Sequence, residues 1–251
     1  AGLYTSMDEA GYLHYTGVTP HVNDIYDSYI NDGRKDYLPT NTIVDLMTEL
    51  NDPRICLYFT NVDTAGNGEE QAFVYTGAVA GLDGAQSYQL FSHFQDVFFE
   101  PTFPAMIIDF IEAEFLLAEA AARGYAVPGT AADHYNIAVG ASIVYWGGTI
   151  EDATAYLSQP EVMYDQAKWK EQIGTQKWLA LYNRGIEAWA EWKRLDYPKL
   201  NTPEGMTYGD IPLRFVYPYN EKLQNEVNYD AASAKIGGDA TSTPVFWDVV
   251  P

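Results

Sequence analysis

The stretch from Ile107 to Ala122 constrains the fold of this chain more than any other. Ile107, Ile108, Ile111, Phe115, Ala118 and Ala122 recur at helical spacing, while Phe110, Ala113, Leu117 and Ala121 form a second apolar row, leaving Asp109, Glu112 and Glu119 between them. A helix apolar on two sides fits the interior of a helical array. Gly124 ends it, and Thr130 with Asp133 forms the N-terminal cap of a second helix running through Tyr135, Ile137, Ala138 and Ile143. The link between them is short and contains Gly and Pro. Asp109–Arg123 is therefore expected to pack antiparallel on Ala131–Tyr145 as one tetratricopeptide-type hairpin. One such hairpin cannot bury its own faces, so further repeats must exist.

A third helical region runs from about Asp165 to Leu195, loosened at Asn183-Arg184-Gly185 and closed by Tyr197-Pro198. Trp178, Leu181, Tyr182, Gly185, Trp189 and Trp192 fall on one of its faces. Residues 1 to about 105 have another texture, rich in Tyr, Asn, Asp and Gly. One helix is predicted there, Thr40 to Leu50, with Thr40 capping its first turn and Asp52-Pro53-Arg54 stopping it. Ile55 to Val62 and Gln71 to Gly77 have strand-like content, and Asp63-Thr64-Ala65-Gly66-Asn67-Gly68 reads as their turn, giving a short β-hairpin. Cys56 is then a buried strand thiol. From Tyr75 to Phe103 no period holds, and a long ordered loop is expected.

The last forty residues are too polar and turn-rich for a core helix, yet too aromatic for a disordered end. They carry Ile211-Pro212-Leu213-Arg214-Phe215-Val216-Tyr217-Pro218, Glu221, Asn225, Gly237-Gly238-Asp239 and Phe246-Trp247-Asp248. A fixed strap across a larger body is expected, with Phe215, Tyr217, Phe246 and Trp247 buried.

Charge narrows the partners. With 35 acidic against 14 basic side chains the formal charge is -21, which repels the phosphate backbone that a nucleic-acid binder must neutralise, so nucleic acid is excluded as a partner. A single cysteine rules out an internal disulfide and a cysteine-rich zinc cluster. No run approaches about twenty apolar residues, the length of a transmembrane helix. The chain opens Ala1-Gly2-Leu3-Tyr4, without an apolar leader or a lipid-accepting cysteine.

Several blocks then fall into a known order. Asn51-Asp52-Pro53-Arg54, Tyr75-Thr76-Gly77 with Gly81, Ala113-Glu114-Phe115-Leu116-Leu117-Ala118-Glu119-Ala120 with Gly124, and Tyr135-Asn136 with Ser142 come first. Tyr156-Leu157 with Gln159-Pro160, Gln176-Lys177-Trp178, Glu187-Ala188-Trp189 with Trp192 and Arg194, Pro198 and the tail follow. Together they resemble the SusD/RagB family, and especially its SusD-like subgroup, over nearly the whole chain after about residue 40. Lys193 stands where many members carry arginine. The resemblance implies a cell-surface lipoprotein of the outer membrane that binds oligo- or polysaccharide and partners a SusC-like TonB-dependent transporter. It also implies that the N-terminal half, with its remaining helical repeats and its lipid anchor, is absent here, the anchor being the only expected membrane contact. The expected fold is mostly α: tetratricopeptide-like helical hairpins with long ordered loops, a short β-hairpin and a C-terminal strap. Residues 1–105 would be the loop-rich glycan-facing part, 106–200 the helical part and 201–251 the strap packed on the body.

The residues offer little chemistry beyond binding. A glycosidase needs two carboxylates across one bond, and with 35 acidic residues some pairs arise by chance. Glu112 and Glu119, seven apart on one polar stripe, more simply bind neighbouring amides or Arg123. His14, His21, His93 and His134 are scattered and form no metal-binding i, i+4 pair. No nucleophile elbow and no phosphate-binding glycine loop occur, and neither a catalytic residue nor a cofactor is expected. Asp63, Asn67, Glu69 and Glu70 supply oxygens near two glycines, a weak calcium candidate without EF-hand spacing that a solvated turn explains as well.

Sugar binding asks for aromatic platforms beside hydroxyl-bonding groups. Most tryptophans lie in the helical region or the tail, where core packing explains them. Tyr4, Tyr12, Tyr15, Tyr26, Tyr29 and Tyr37 instead lie in a segment without apolar periodicity, flanked by His14, Asn23, Asp27, Asn31 and Arg34. The resemblance points to the same segment, because the family's glycan face uses loops away from the repeats. Tyr12, His14 and Tyr15, then Tyr4, Tyr26, Tyr29 and Arg34, are the expected glycan contacts. The leading expectation is non-enzymatic glycan binding and delivery to the transporter. The alternatives are a tetratricopeptide-type interaction scaffold and a helical glycoside hydrolase.

Overall fold

The computed structural model describes residues 3–34, 37–62, 74–81 and 87–248. They form two units, one of residues 1–79 with 83–198 and the other of 80–82 with 199–251.

The larger unit is mostly helical. In chain order it contains strand β1 (Gly11–Leu13), the short helix α1 (Asp24–Tyr26) continued by a π-turn through Asn31, α2 (Asn41–Glu49), α3 (Ile55–Tyr58), strand β2 (Ala105–Ile108), α4 (Phe110–Ala122), α5 (Ala131–Tyr145), α6 (Ile150–Leu157), α7 (Trp169–Ala180) and α8 (Gly185–Leu195). The expected hairpin of α4 and α5 is present, and it is the most extensive helix pairing among the described residues. Asp109 caps α4 by accepting from the Glu112 amide at 2.6 Å, and Thr130 with Asp133 closes a reciprocal capping box on α5. Gly124 sits at φ +84, a left-handed conformation that a side chain disfavours, and so turns the chain out of α4. Ile111, Phe115 and Ala118 meet Tyr135, Ala138, Val139 and Ile143 in the main core, to which α6 adds Ala153 and Tyr156 and α7 adds Ile173.

Several local details differ from or refine the expectations. Ile107 and Ile108 do not open the helix; they end β2, 61% and 40% exposed, because the Asp109 cap starts α4 one residue later. The third helical region, expected to loosen at Asn183-Arg184-Gly185, breaks there into two helices, with Asn183 at φ 64 between α7 and α8. Helix α6 between them and α5 went unpredicted. Thr40 does stand at the N-cap of α2, but its side chain makes no capping bond. Instead Thr40 and Ala78 form a parallel bridge, and Asn41 N donates to Ala78 O at 2.8 Å. Gly77 permits this crossing, since a Cβ there would lie 2.5 Å from the Asn41 backbone.

The stretch Ile55–Tyr58 is helix, not strand. Asp52 accepts from Arg54 N through its side chain and from Ile55 N through its carbonyl, so the Asp-Pro block that ends α2 also winds the next turn. Cys56 is accordingly exposed rather than a buried strand thiol. Beyond it, Phe59 bridges to Phe94, and Val62 N donates to Val74 O at 3.0 Å. The two-stranded sheet is built from β1 and β2, antiparallel with Tyr12 opposite Met106, and thus joins segments far apart in sequence. The turn predicted at Asp63–Gly68 lies outside the described residues, as do the calcium candidates Asp63, Asn67, Glu69 and Glu70.

The second unit holds the tail. It contains two short helices, α9 (Tyr219–Gln224) and α10 (Glu226–Lys235), which the strap expectation had not specified. Leu213 N donates to Thr241 O at 2.8 Å, Arg214 pairs with Asp239 at 3.3 Å, and Asp239 also accepts from the Tyr217 amide and the Tyr229 hydroxyl. The burial expected of the tail aromatics does not hold: Phe215 is 83%, Phe246 94% and Trp247 42% exposed, and Tyr217 is half-buried. Polar turn bonds centred on Asp239, with Tyr217 edge-on to Tyr229 and under the Arg214 guanidinium, organise this segment.

Candidate functional site

The expected contacts fall into two groups. Tyr12 stands on β1 and His14 follows it; their ring centroids are 5.7 Å apart and the rings tilt by 42°. Pairing of β1 with β2 fixes this segment, leaving His14 exposed and Tyr12 half-buried. Burial, with the neighbouring Tyr12 hydroxyl adding to it, pushes the Tyr145 phenol well above its ordinary pKa. Tyr15 is half-buried near Asp24, and burial followed by the Asp24 charge pushes its phenol up. Tyr4 is also half-buried, just ahead of a single turn capped by Ser6.

Tyr29 belongs to the second group. It stacks on Phe99 at 3.9 Å, and its hydroxyl meets that of Tyr88 at 2.7 Å. Tyr88 in turn stacks on His93 at 3.8 Å, and the His93 ring reaches the Tyr88 carbonyl at 2.9 Å. Burial, then the bond to Tyr29, raises the Tyr88 phenol above its usual range. Tyr26 ends α1, half-buried. Arg34 is exposed and lies over the Tyr37 ring, 5.0 Å from its centroid. Tyr88 and His93 went unread because their stretch carries no period; the pairing with Tyr29 spans 59 positions.

Next to this second group lies an open groove of about 360 Å³, walled by Ile25, Phe94, Phe98, Trp178, Tyr182 and Asn183. Its floor is a ring cluster: Tyr182 stacks on Tyr58 at 4.1 Å and meets Phe59, Phe98 and Trp146 edge-on. The sequence assigned Trp178 to core packing and placed Tyr182 on the same helical face. Tyr182 does pack, and burial holds its phenol well above the ordinary value. Both rings nevertheless remain partly accessible from the groove, which a helical face read from spacing alone does not reveal. In volume and apolar character the groove falls in the range of small-ligand sites.

The helix carboxylates are engaged in ion pairs. Glu112 takes the Arg184 guanidinium at 2.5 Å, and Arg184 also reaches Asp109 at 3.3 Å. Glu119 holds Arg123 at 2.8 Å and Arg194 closer still. Burial alone would raise the Glu119 carboxyl, but the bonds from Arg194 and Arg123 outweigh it and hold the group below the usual carboxylate range. A general acid needs the opposite shift. Among the described residues no cluster of His, Cys, Asp and Glu able to hold a metal ion is present, and no helix is long and apolar enough to cross a membrane.

The family model described as "Starch-binding associating with outer membrane" matches residues 1–218. The chain belongs to the SusD-like family. Solved structures agree over the full chain. A chitin-binding protein is 29% identical with a TM-score of 0.78, covering 99% of this chain and 57% of its own. A SusD homologue of Bacteroides thetaiotaomicron is 26% identical with a TM-score of 0.81, covering 100% and 58%. One from Bacteroides uniformis is 25% identical, again with a TM-score of 0.81, covering 99% and 57%. This SusD-like chain therefore spans somewhat more than half the length of the relatives it matches. No protein of curated function matches it significantly.

Proposed function

We propose that this SusD-like protein is a non-enzymatic, cell-surface glycan receptor that captures oligo- or polysaccharide and hands it to a SusC-like TonB-dependent transporter in the outer membrane. The observation that carries the reading is the family match across residues 1–218. The starch-binding description of the family and the chitin-binding relative at 29% identity make neutral hexose polymers the first class to test. Binding rests on stacking of sugar rings against aromatic side chains, with hydroxyls met by neighbouring polar groups. Tyr12, His14 and Tyr15, with Tyr4 just ahead of them in the chain, form the first contact surface, and Tyr26, Tyr29 and Arg34, next to the Phe94–Trp178 groove, form the second. Individually weak contacts repeated along a polymer give retention. Pairing of Glu112 and Glu119 with arginines supports the absence of hydrolysis.

A scaffold role is compatible with the same fold. Leu116, Ile137 and Val144 on the α4–α5 hairpin are 46%, 44% and 47% exposed, apolar side chains that a protein partner could cover. Affinity electrophoresis in starch, soluble chitin derivatives and other polysaccharides, run beside a reducing-sugar assay, tests the reading. Retardation without release of reducing ends is expected. Release of reducing ends, or no retardation in any polysaccharide, would reject it.

A further inference from the structure

A cleft of about 380 Å³ opens between α5 and α6, lined by Asn136, Thr154, Leu157, Ser158, Met163 and Tyr164. It draws on neither group of expected glycan contacts. Its hydrogen-bonding character is unusually one-sided. The Thr154 hydroxyl donates to Ile150 O at 2.8 Å, that of Ser158 to Ala155 O at 2.7 Å, and that of Tyr164 to Gln166 Oε1 at 3.0 Å. Each hydroxyl has one proton, so all three face a ligand as acceptors only. Asn136 is exposed on α5, and its amide makes no hydrogen bond among the described residues, leaving its donors and its acceptor open.

We infer that this cleft is a second carbohydrate subsite, on the helical face, which takes a neutral sugar ring through hydroxyl donors. The inference rests on the glycan-capture reading and extends it to a surface that reading does not use. The chemistry of the lining argues against ionic ligands. An anion needs donors, and beyond the Asn136 amide the cleft offers acceptors within a protein of formal charge -21. A divalent cation needs carboxylate oxygens, and no carboxylate lines the cleft. A sugar hydroxyl donates to Thr154, Ser158 or Tyr164 and accepts from Asn136, while Leu157, Met163 and the half-buried Tyr164 ring meet the C–H face. Tyr164 is held for this by contact with buried Tyr135, centroid to centroid 5.4 Å.

The test follows the Met163 methyl resonance by NMR during titration of the full chain with maltohexaose, chitohexaose and an oligogalacturonide, with total binding measured by calorimetry. A saturable Met163 shift with a neutral hexaose is expected, together with an approximately tenfold loss of affinity at this subsite in Asn136→Leu and a weaker loss in Thr154→Val. Neutral sugar binding by calorimetry with a static Met163 methyl would overturn the subsite and leave the receptor reading standing. No binding of either neutral hexaose would defeat both. An equal or stronger shift with the oligogalacturonide would overturn the neutral-ligand assignment.

Discussion

The Arg54 guanidinium closes on the Asp52 carboxylate at 2.5 Å with both side chains at 0% exposure. Around that pair Arg54 also donates to Gln176 at 2.7 Å and to Ser142 at 3.0 Å, while Tyr156 donates to Asp52 at 3.0 Å and accepts from Gln176 at 2.7 Å. Burial alone would lower the Arg54 pKa, but Asp52 overrides it and keeps the guanidinium charged. One ion pair thus ties the Asp-Pro-Arg turn to α5, α6 and α7. The pair sits in a hydrogen-bonded shell, as a buried charge must.

Breaking this pair from one side strands a buried charge. Arg54→Met is expected to cost about 3–5 kcal/mol in urea unfolding. The double variant Asp52→Asn with Arg54→Met should cost less than the sum of the single changes, because each single change leaves its partner uncompensated. Additive losses would show that the two residues act independently.

His134 fixes the α4–α5 link by a second charged contact. Its Nδ1 lies 2.6 Å from Glu114 Oε2 and its Nε2 lies 2.5 Å from Pro128 O, so both nitrogens donate only when the ring is protonated. Burial opposes that charge, but the Glu114 and Pro128 bonds prevail and the pKa is raised. A folded pKa above the unfolded value of about 6.5 gives stability that is complete below that pH and lost as pH rises through the folded value. Melting temperature should therefore fall in the parent as pH rises above about 6.5 and stay flatter in His134→Gln. Parallel melting profiles would remove His134 as the cause.

The tail makes a contrast that mutation can read. Phe246 is 94% exposed and Phe115 is 0% exposed. Phe115→Ala should cost about 3–5 kcal/mol, and Phe246→Ala should stay within about 0.5 kcal/mol, both measured by denaturant unfolding. A multi-kcal/mol loss at Phe246 would restore the anchoring role that the sequence suggested.

These residues also mark what a sequence makes legible. The α4–α5 hairpin was readable because its signals are local: two apolar rows, a Gly exit and a Thr-Asp cap within a few residues. Ile55–Tyr58 misled because its strand-like side chains were overruled by Asp52, whose bonds to the next turn are invisible in composition. The β1–β2 sheet and the Tyr29–Tyr88 contact join segments far apart in sequence, and no period announces such pairings. Phe246 was misjudged on the premise that an aromatic in a polar tail must be buried, yet much of any protein surface is apolar. For the site, aromatic content located candidate tyrosines, but it could not separate a ring beside an exposed neighbour, such as half-buried Tyr12 next to His14, from a stacked one such as Tyr29 on Phe99.

That separation sets the order expected of the glycan contacts. Tyr29 has one face covered by Phe99 and its hydroxyl engaged by Tyr88, so Tyr29→Ala combines a folding cost with any binding loss. Tyr12 is half-buried on β1 with the exposed His14 ring beside it, which leaves this pair the better stacking surface. Tyr12→Ala and the His14→Ala, Tyr15→Ala double change are each expected to weaken glycan binding by about 1–3 kcal/mol, the loss typical of a removed stacking ring. Trp178→Ala tests the groove independently on the same scale. Affinity electrophoresis measures all of them, with thermal melts to separate binding from folding. Full retention of binding by the Tyr12, His14 and Tyr15 variants, with loss in Trp178→Ala alone, would move the contact surface from the β1 segment to the groove. Retention by every variant would remove both surfaces as glycan contacts.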